Sequence, residues 1–327
     1  MRIPAGTTSL AISLIALTAM ATTQVTVQTA ITISGPGIPH FDYLLTILFE
    51  NEGLNQTVGS HCTGNCTYIT SLAQTYSLAK NYSAIGHPSL PNYLALTSGG
   101  NYDSYPFNLD CSPRVLAVCH VSAPNIIDSI ENSARTWKAY MEDYTGGGCT
   151  DRGDSYYGGQ HNPFVYYKDI NDSAARCANI VNANPGTSGY LALPTLLLSD
   201  LNSVTTSSNY MWLTPNICDD GHTLCNPLNN TVSQSNQYMS LLIPKILSST
   251  LFTTQRAALL IVWDESSSRS NNKVTAIWAG PTAKLAYTSL AVYSHYSTVR
   301  TIETAWNLPT LTAYDSSTNP MTEFFNP

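Results

Sequence analysis

A serine lies between two prolines in Gly86-His87-Pro88-Ser89-Leu90-Pro91-Asn92-Tyr93, and a helix-like run, Tyr93-Leu94-Ala95-Leu96-Thr97-Ser98-Gly99, follows it. A helix start collects unpaired backbone N–H groups and the positive end of the helix dipole. Pro91 suits the first turn, where its missing N–H costs nothing. A hydroxyl there is placed to attack a phosphate whose oxygens those N–H groups hold. Read alone, Ser-x-Pro-Asn is more simply a capped surface helix. Its company argues for more. Oxygen and imidazole side chains recur at Glu50-Asn51, Asp219-Asp220-Gly221-His222, Asp264-Glu265 and Ser294-His295-Tyr296. Such ligands suit divalent metals. A metal beside a serine depresses its pKa and stabilises a leaving oxygen. Each group alone reads as a solvated loop or a satisfied hydrogen-bond donor. The informative feature is their order: acid, hydroxyl, Asp/His, acidic pair, His.

Elements that position such groups are legible. Tyr43-Leu44-Leu45-Thr46-Ile47-Leu48-Phe49 ends at Glu50, and Ala257-Ala258-Leu259-Leu260-Ile261-Val262-Trp263 ends at Asp264. Apolar runs bounded by polar residues read as strands buried on both faces. Residues 210–213, 274–278 and 136–140 are shorter strand candidates. Helical patterns occupy 126–134, 194–202, 236–247 and 297–306, with Pro194 in a first turn. Alternating strands and helices predict an α/β fold with a mostly parallel sheet. Ligands of such sheets bind beyond the carboxyl ends of the strands, where Glu50 and Asp264 lie.

Composition narrows the class. Charged residues are 11% of the 327-residue chain and the formal net charge is −7. That argues against a nucleic-acid protein, which would need a basic face. Arg2, the apolar run Leu10–Met20 and Ala19-Met20-Ala21 read as a signal peptide over residues 1–21, too short for a comfortable membrane span. Residues 22–39 form a loose Thr-rich lead-in, and 40–327 a catalytic domain. Sequons at Asn55, Asn65, Asn81, Asn171 and Asn229 and an even count of eight cysteines fit a secreted glycoprotein. Spacing does not settle connectivity. The simplest pairing joins nearest neighbours: Cys62–Cys66, Cys111–Cys119, Cys149–Cys177 and Cys218–Cys225. A zinc cluster at Cys62 and Cys66 is the weaker alternative, because no second close pair has metal-finger spacing.

The ordered set resembles the alkaline phosphatase superfamily. It is most similar to the secreted phosphoesterase family that contains acid phosphatases and bacterial phospholipases C. The matching segments are 48–51, 87–93, Trp137-Lys138-Ala139-Tyr140-Met141-Glu142-Asp143, His161-Asn162-Pro163-Phe164, 214–222, 262–265, 294–297 and Thr301-Ile302-Glu303. The resemblance implies a three-layer α/β/α sandwich. It implies that Ser89 is a nucleophile forming a phosphoseryl intermediate. Glu50, Asn51, Asp264 and Glu265 would surround one divalent metal ion, with Asp220, His222 and His295 forming a second cluster. Asn92 would reach a phosphate oxygen, and Lys138, Glu142 and His161 would line the pocket as charge partner or leaving-group acid. Many superfamily members carry Asp-His where this chain has Asp264-Glu265, and Asp where it has Glu50-Asn51. The first site is thus oxygen-rich, which leaves the metal unidentified.

The resulting expectation is a secreted, metal-dependent phosphomonoesterase of acid-phosphatase type, acting on small phosphate esters and not stably inserted in a membrane. A phospholipase C-type phosphodiesterase is the alternative, disfavoured because little chain follows the His295 segment. A non-catalytic glycoprotein retaining the fold is the alternative from another class.

Overall fold

In strand β1 (Tyr43–Phe49) every residue after the first is buried, as are all seven residues of β7 (Ala257–Trp263). A strand can be apolar along its whole length only where both sheet faces are covered, the usual situation of parallel sheets. The computed structural model describes Met1 and residues 40–327, except 60, 63, 64, 147, 148, 151, 269 and 270. Beyond Met1, the signal peptide expected at 1–21 and the lead-in at 22–39 lie outside the described residues. From residue 40 onward the described chain belongs to one compact unit.

The other strands are β2 (Ser77–Ala79), β3 (Tyr82–Ser83), β4 (Trp137–Met141), β5 (Ile180–Asn182), β6 (Tyr210–Thr214), β8 (Ala276–Ala279), β9 (Tyr287–Ser289) and β10 (Tyr293–Ser294). Eight form one sheet in the order β5-β4-β6-β1-β7-β8-β2-β9. Only the pairings of β8 with β7 and with β2 are antiparallel. Two helix sets pack against the sheet. One joins Ser89–Ser98, Ile126–Asn132, His295–Trp306 and Ala313–Ser316; the other joins Thr67–Thr75, Thr195–Leu201, Thr231–Leu247 and Thr250–Thr254. Helices, sheet and helices make the three-layer α/β architecture.

Register sets the working edge. Phe49 pairs with Trp263 across β1 and β7, and Asp264 N–H donates to Phe49 O at 2.9 Å. Glu50 and Asp264 therefore leave the sheet side by side. Met141 pairs with Thr214 across β4 and β6, and Glu142 N–H extends the ladder to Thr214 O. The loop after β6 folds back, so that Glu50 N–H donates to Asp220 O at 2.9 Å. The separate parallel pair β3–β10 sets Tyr82 opposite Tyr293 and Ser83 opposite Ser294, which brings Tyr82 OH to His295 Nδ1. All eight cysteines are paired, Cys62 with Cys66, Cys111 with Cys119, Cys149 with Cys177 and Cys218 with Cys225.

Candidate active site

Ser89 is the first residue of its helix, preceded by Pro88 in extended conformation. Its Oγ donates to Glu50 Oε2 at 2.9 Å, and only 4% of the residue is exposed. Asn51 turns the chain with φ +57°. Its N–H donates to Asp264 Oδ1 and its amide to Glu50 Oε2. Asp110 Oδ1 accepts Leu90 N–H at 2.9 Å, so a loop carboxylate caps the first turn of the serine helix.

His161 stands at the centre. A 3-10 turn, Gly159–His161, delivers it to a fully buried position, where Nε2 lies 3.4 Å from Glu50 Oε1 and Nδ1 3.2 Å from Asp220 Oδ2. Tyr93 stacks on its ring at 5.3 Å with an interplanar angle of 6°, and His222 meets it edge-on at 5.0 Å. His222 is carried by the Cys218–Cys225 loop, whose backbone Gln234 holds by donating to Cys218 O and Thr223 O and accepting from Cys225 N–H. Gly221 is required there. Its φ is +90°, and a Cβ would lie 2.5 Å from Ser235 Oγ.

The electrostatics ask for a cation. Burial, then the charges of Asp264 and Asp220, push the Glu50 carboxyl well above its usual range. Burial raises Asp264 to about 7 and Asp220 to about 8. Burial lowers His161 to about 4 and, with His161 beside it, also depresses His222. Glu50 Oε1, Asp220 Oδ2 and Asp264 Oδ2 are buried without a well-formed hydrogen bond among the described residues, and the single N–H of neutral His161 can serve only one of its two carboxylate neighbours. Ligand atoms of Glu50, His161 and His222 come within 4.8 Å of one another. Convergent acceptor atoms short of donors fit a divalent metal, and the mixed nitrogen and oxygen set leaves its identity open.

The structure redistributes the expected site. Ser89, Glu50, Asn51, Asp220, His222 and Asp264 gather as one group rather than two clusters, and His161 belongs to its centre. Glu265 Oε2 faces His87 Nδ1 at 2.8 Å and accepts from Asn92. Asn92 does not present a free amide. Its Oδ1 takes the N–H groups of Ile85 and Gly86, and its Nδ2 donates to Gly86 O and Pro88 O, so it braces the turn before Ser89. His295 is not placed as a ligand either. Nε2–H donates to Asp264 O at 2.6 Å, Nδ1 lies 3.0 Å from Tyr82 OH, and burial holds the ring neutral, with its pKa down at about 4. Glu142 is buried beneath the Asp220 loop, bonded to Asn216 and Tyr238. Lys138 is away from the site. It lies near the start of β4 and pairs with Asp200 at 2.7 Å, whereas the site lies past the strand ends. Tyr93, His87, Asp110 and Tyr82 had no assigned role in the sequence reading. The first two stand inside the serine motif, but nothing in the sequence marks the other two.

The fold is that of solved structures in the alkaline phosphatase superfamily. A Vibrio parahaemolyticus protein in that superfamily superposes with a TM-score of 0.59 at 14% identity, over 86% of this chain and 71% of its own. Residues 47–309 match the Phosphoesterase family, and the chain belongs to it. It is 26% identical over 292 residues to a probable acid phosphatase of Kluyveromyces lactis, covering 85% of this chain and 61% of that protein. It is 27% identical over 260 residues to a phosphate-repressible acid phosphatase of Penicillium chrysogenum, covering 77% of this chain and 57% of that protein. The chain thus spans about three fifths of the length of these fungal relatives. A phosphatidylinositol-3-phosphatase of Mycobacterium tuberculosis is 22% identical, covering 90% of this chain and 86% of its own length.

Proposed function

We propose that this protein is a metal-dependent phosphomonoesterase that works through a phosphoserine at Ser89. The observation that carries this reading is the 2.9 Å hydrogen bond from Ser89 Oγ to Glu50 Oε2 at a helix start, among buried carboxylates and the buried His161, with His222 on the exposed side of the group. As Ser89 Oγ attacks phosphorus, its proton passes to Glu50 Oε2. The Ser89 O–P bond forms while the bond to the leaving oxygen breaks, and that oxygen takes the proton from Glu50 and departs as the alcohol. Water then cleaves the phosphoserine and Ser89 regains its proton. Glu50, His161 and His222, with Asp220 and Asp264 beside them, would hold a divalent ion, whose charge polarises a phosphoryl oxygen and favours the ionised carboxylates. His161, stacked on Tyr93 and neutral through burial, keeps Glu50 and Asp220 apart and oriented. The relatives named as acid phosphatases and as a phosphatidylinositol-3-phosphatase support a monoester substrate over a diester.

Four disulfides and the apolar run at residues 10–20 support an extracellular setting. Among the described residues no helix is long and apolar enough to cross a membrane. Of the sequons, Asn55, Asn65 and Asn229 are exposed, whereas the Asn171 amide donates inward to Cys149 O and Val165 O. The test of the central reading is turnover of p-nitrophenyl phosphate by purified protein with and without chelator. Chelator-sensitive release of phosphate supports it, and activity untouched by exhaustive chelation contradicts the metal requirement.

A further inference from the structure

We propose that Glu142 is a positioning residue, whose carboxylate, acting through Asn216, fixes the loop that presents Asp220 and His222 to the active site. The inference rests on the phosphoesterase reading for the meaning of that site, but its geometry stands apart from it. Glu142 follows directly on β4 and is 1% exposed. Oε1 accepts Tyr238 OH at 2.6 Å, from the Thr231–Leu247 helix. Oε2 accepts both Asn216 N–H at 3.0 Å and Asn216 Nδ2 at 3.3 Å.

Asn216 passes the constraint on. Its Oδ1 accepts the N–H groups of Cys218 and Asp219, and its Nδ2 also donates to Asp219 Oδ2 and Gly189 O. Its backbone oxygen accepts Asp220 N–H, and Asp220 O in turn accepts Glu50 N–H. One continuous hydrogen-bonded path therefore runs from Glu142 through Asn216 and Asp220 to Glu50, the partner of Ser89. Among the described residues the side-chain hydrogen bonds of Glu142 go to Asn216 and Tyr238, not to Ser89, His161 or His222. A carboxylate suits this post because three donors converge on its two oxygens. Glutamine keeps most of the arrangement. Its oxygen still takes Asn216, and the Tyr238 hydroxyl can turn to accept from its amide.

The test compares Glu142→Ala, Glu142→Gln and wild type by three readouts: kcat and KM on p-nitrophenyl phosphate across pH, manganese and zinc affinity of stripped protein by chelator competition, and amide hydrogen exchange at Cys218 and Asp219. Groups that orient ligands from behind are worth about 10–100-fold in affinity or activity, so Glu142→Ala should lower kcat/KM and metal affinity by about that factor. It should also speed exchange at both amides. Glu142→Gln should return each readout to within about threefold of wild type, the size of one modest hydrogen bond, and keep the wild-type pH profile. If Glu142→Gln is as impaired as Glu142→Ala, or loses one limb of the pH profile, the carboxyl takes part in proton transfer and the proposal falls. It also falls if Glu142→Ala leaves exchange and metal affinity unchanged. Should Glu142→Ala not fold, Asn216→Ala replaces it with the same expected outcomes. If wild type turned over no phosphate ester, the exchange and affinity arms would still decide the positioning role.

Discussion

Glu50→Gln should move the stability of this protein in opposite directions with and without metal. Glu50 is fully buried, and both Asp264 and Asp220 raise its pKa by their charge. Two like charges roughly 6 Å apart at an effective dielectric constant near 20 repel by about 3 kcal/mol. Protonation already relieves part of this in the stripped protein, which leaves on the order of 2 kcal/mol for an isosteric, uncharged replacement to recover. With about 0.6 kcal/mol/K of unfolding entropy for a domain of this size, stripped Glu50→Gln should melt about 3 °C above stripped wild type. Under saturating metal the sign reverses. A ligand lost from the group that costs about 100-fold in affinity removes about 2.7 kcal/mol of linked stability, and turnover should fall at least ~10³-fold, because the partner of Ser89 changes too. Calorimetry on stripped and metal-saturated samples of both proteins reads all four states. A stripped variant that melts below stripped wild type would refute the claim that uncompensated carboxylates converge here.

Further outcomes follow from the same geometry. Stripped wild type should lose stability as pH rises from about 6.5, the ordinary histidine value, to about 8. In that window the folded state keeps protons on Asp264 (about 7) and on Asp219 and Asp220 (about 8) that the unfolded chain has released. Below it, His161 and His295, both held down at about 4, act with the opposite sign and flatten the curve. Melting temperatures across pH check this, and a stripped protein that gains stability between pH 6.5 and 8 contradicts it. Reduction of Cys218–Cys225 should weaken metal retention before global unfolding, because the bridge closes the loop carrying Asp220 and His222. Metal release and circular dichroism followed together in graded reductant show the order. Lys138→Ala should leave kcat/KM within about twofold, since its partner is Asp200 and the residue contributes at most a partly exposed ion pair. Steady-state kinetics with p-nitrophenyl phosphate measures it.

The strands that carry the site were legible because burial on both faces leaves an uninterrupted apolar run. Residues 43–49 and 257–263 are β1 and β7 to the residue, and the acids at their ends mark the working edge. The helix expected after Ser89 begins at Ser89 itself. Strands β2, β3, β9 and β10 are two or three residues long, too short for any period to register. The 274–278 candidate begins two residues late, at Ala276. The helix expected from Asn236 begins a turn earlier, at Thr231, because Asn230 caps it by accepting Ser233 N–H. Pro194 stands just before its helix rather than inside it. Within the site, residue type and order exposed the carboxylates and imidazoles but not their directions. His161 reaches the centre on an aperiodic turn, through tertiary contacts alone. His295 carries the chemistry of a ligand, yet Tyr82 and the Asp264 carbonyl occupy its ring. Asn92 and Glu142 are polar residues beside the site that hold the backbone, a distinction made only by their hydrogen-bond partners.

In the proposed reaction Ser89 carries the phosphoryl group. The most direct test is an acid quench of metal-loaded protein during turnover of p-nitrophenyl phosphate, followed by intact-mass measurement and peptide mapping. The expected result is a single added phosphate on the peptide containing Ser89, absent from Ser89→Ala and from the stripped protein. Full turnover by Ser89→Ala, or a phosphate mapped to any other residue, would contradict it.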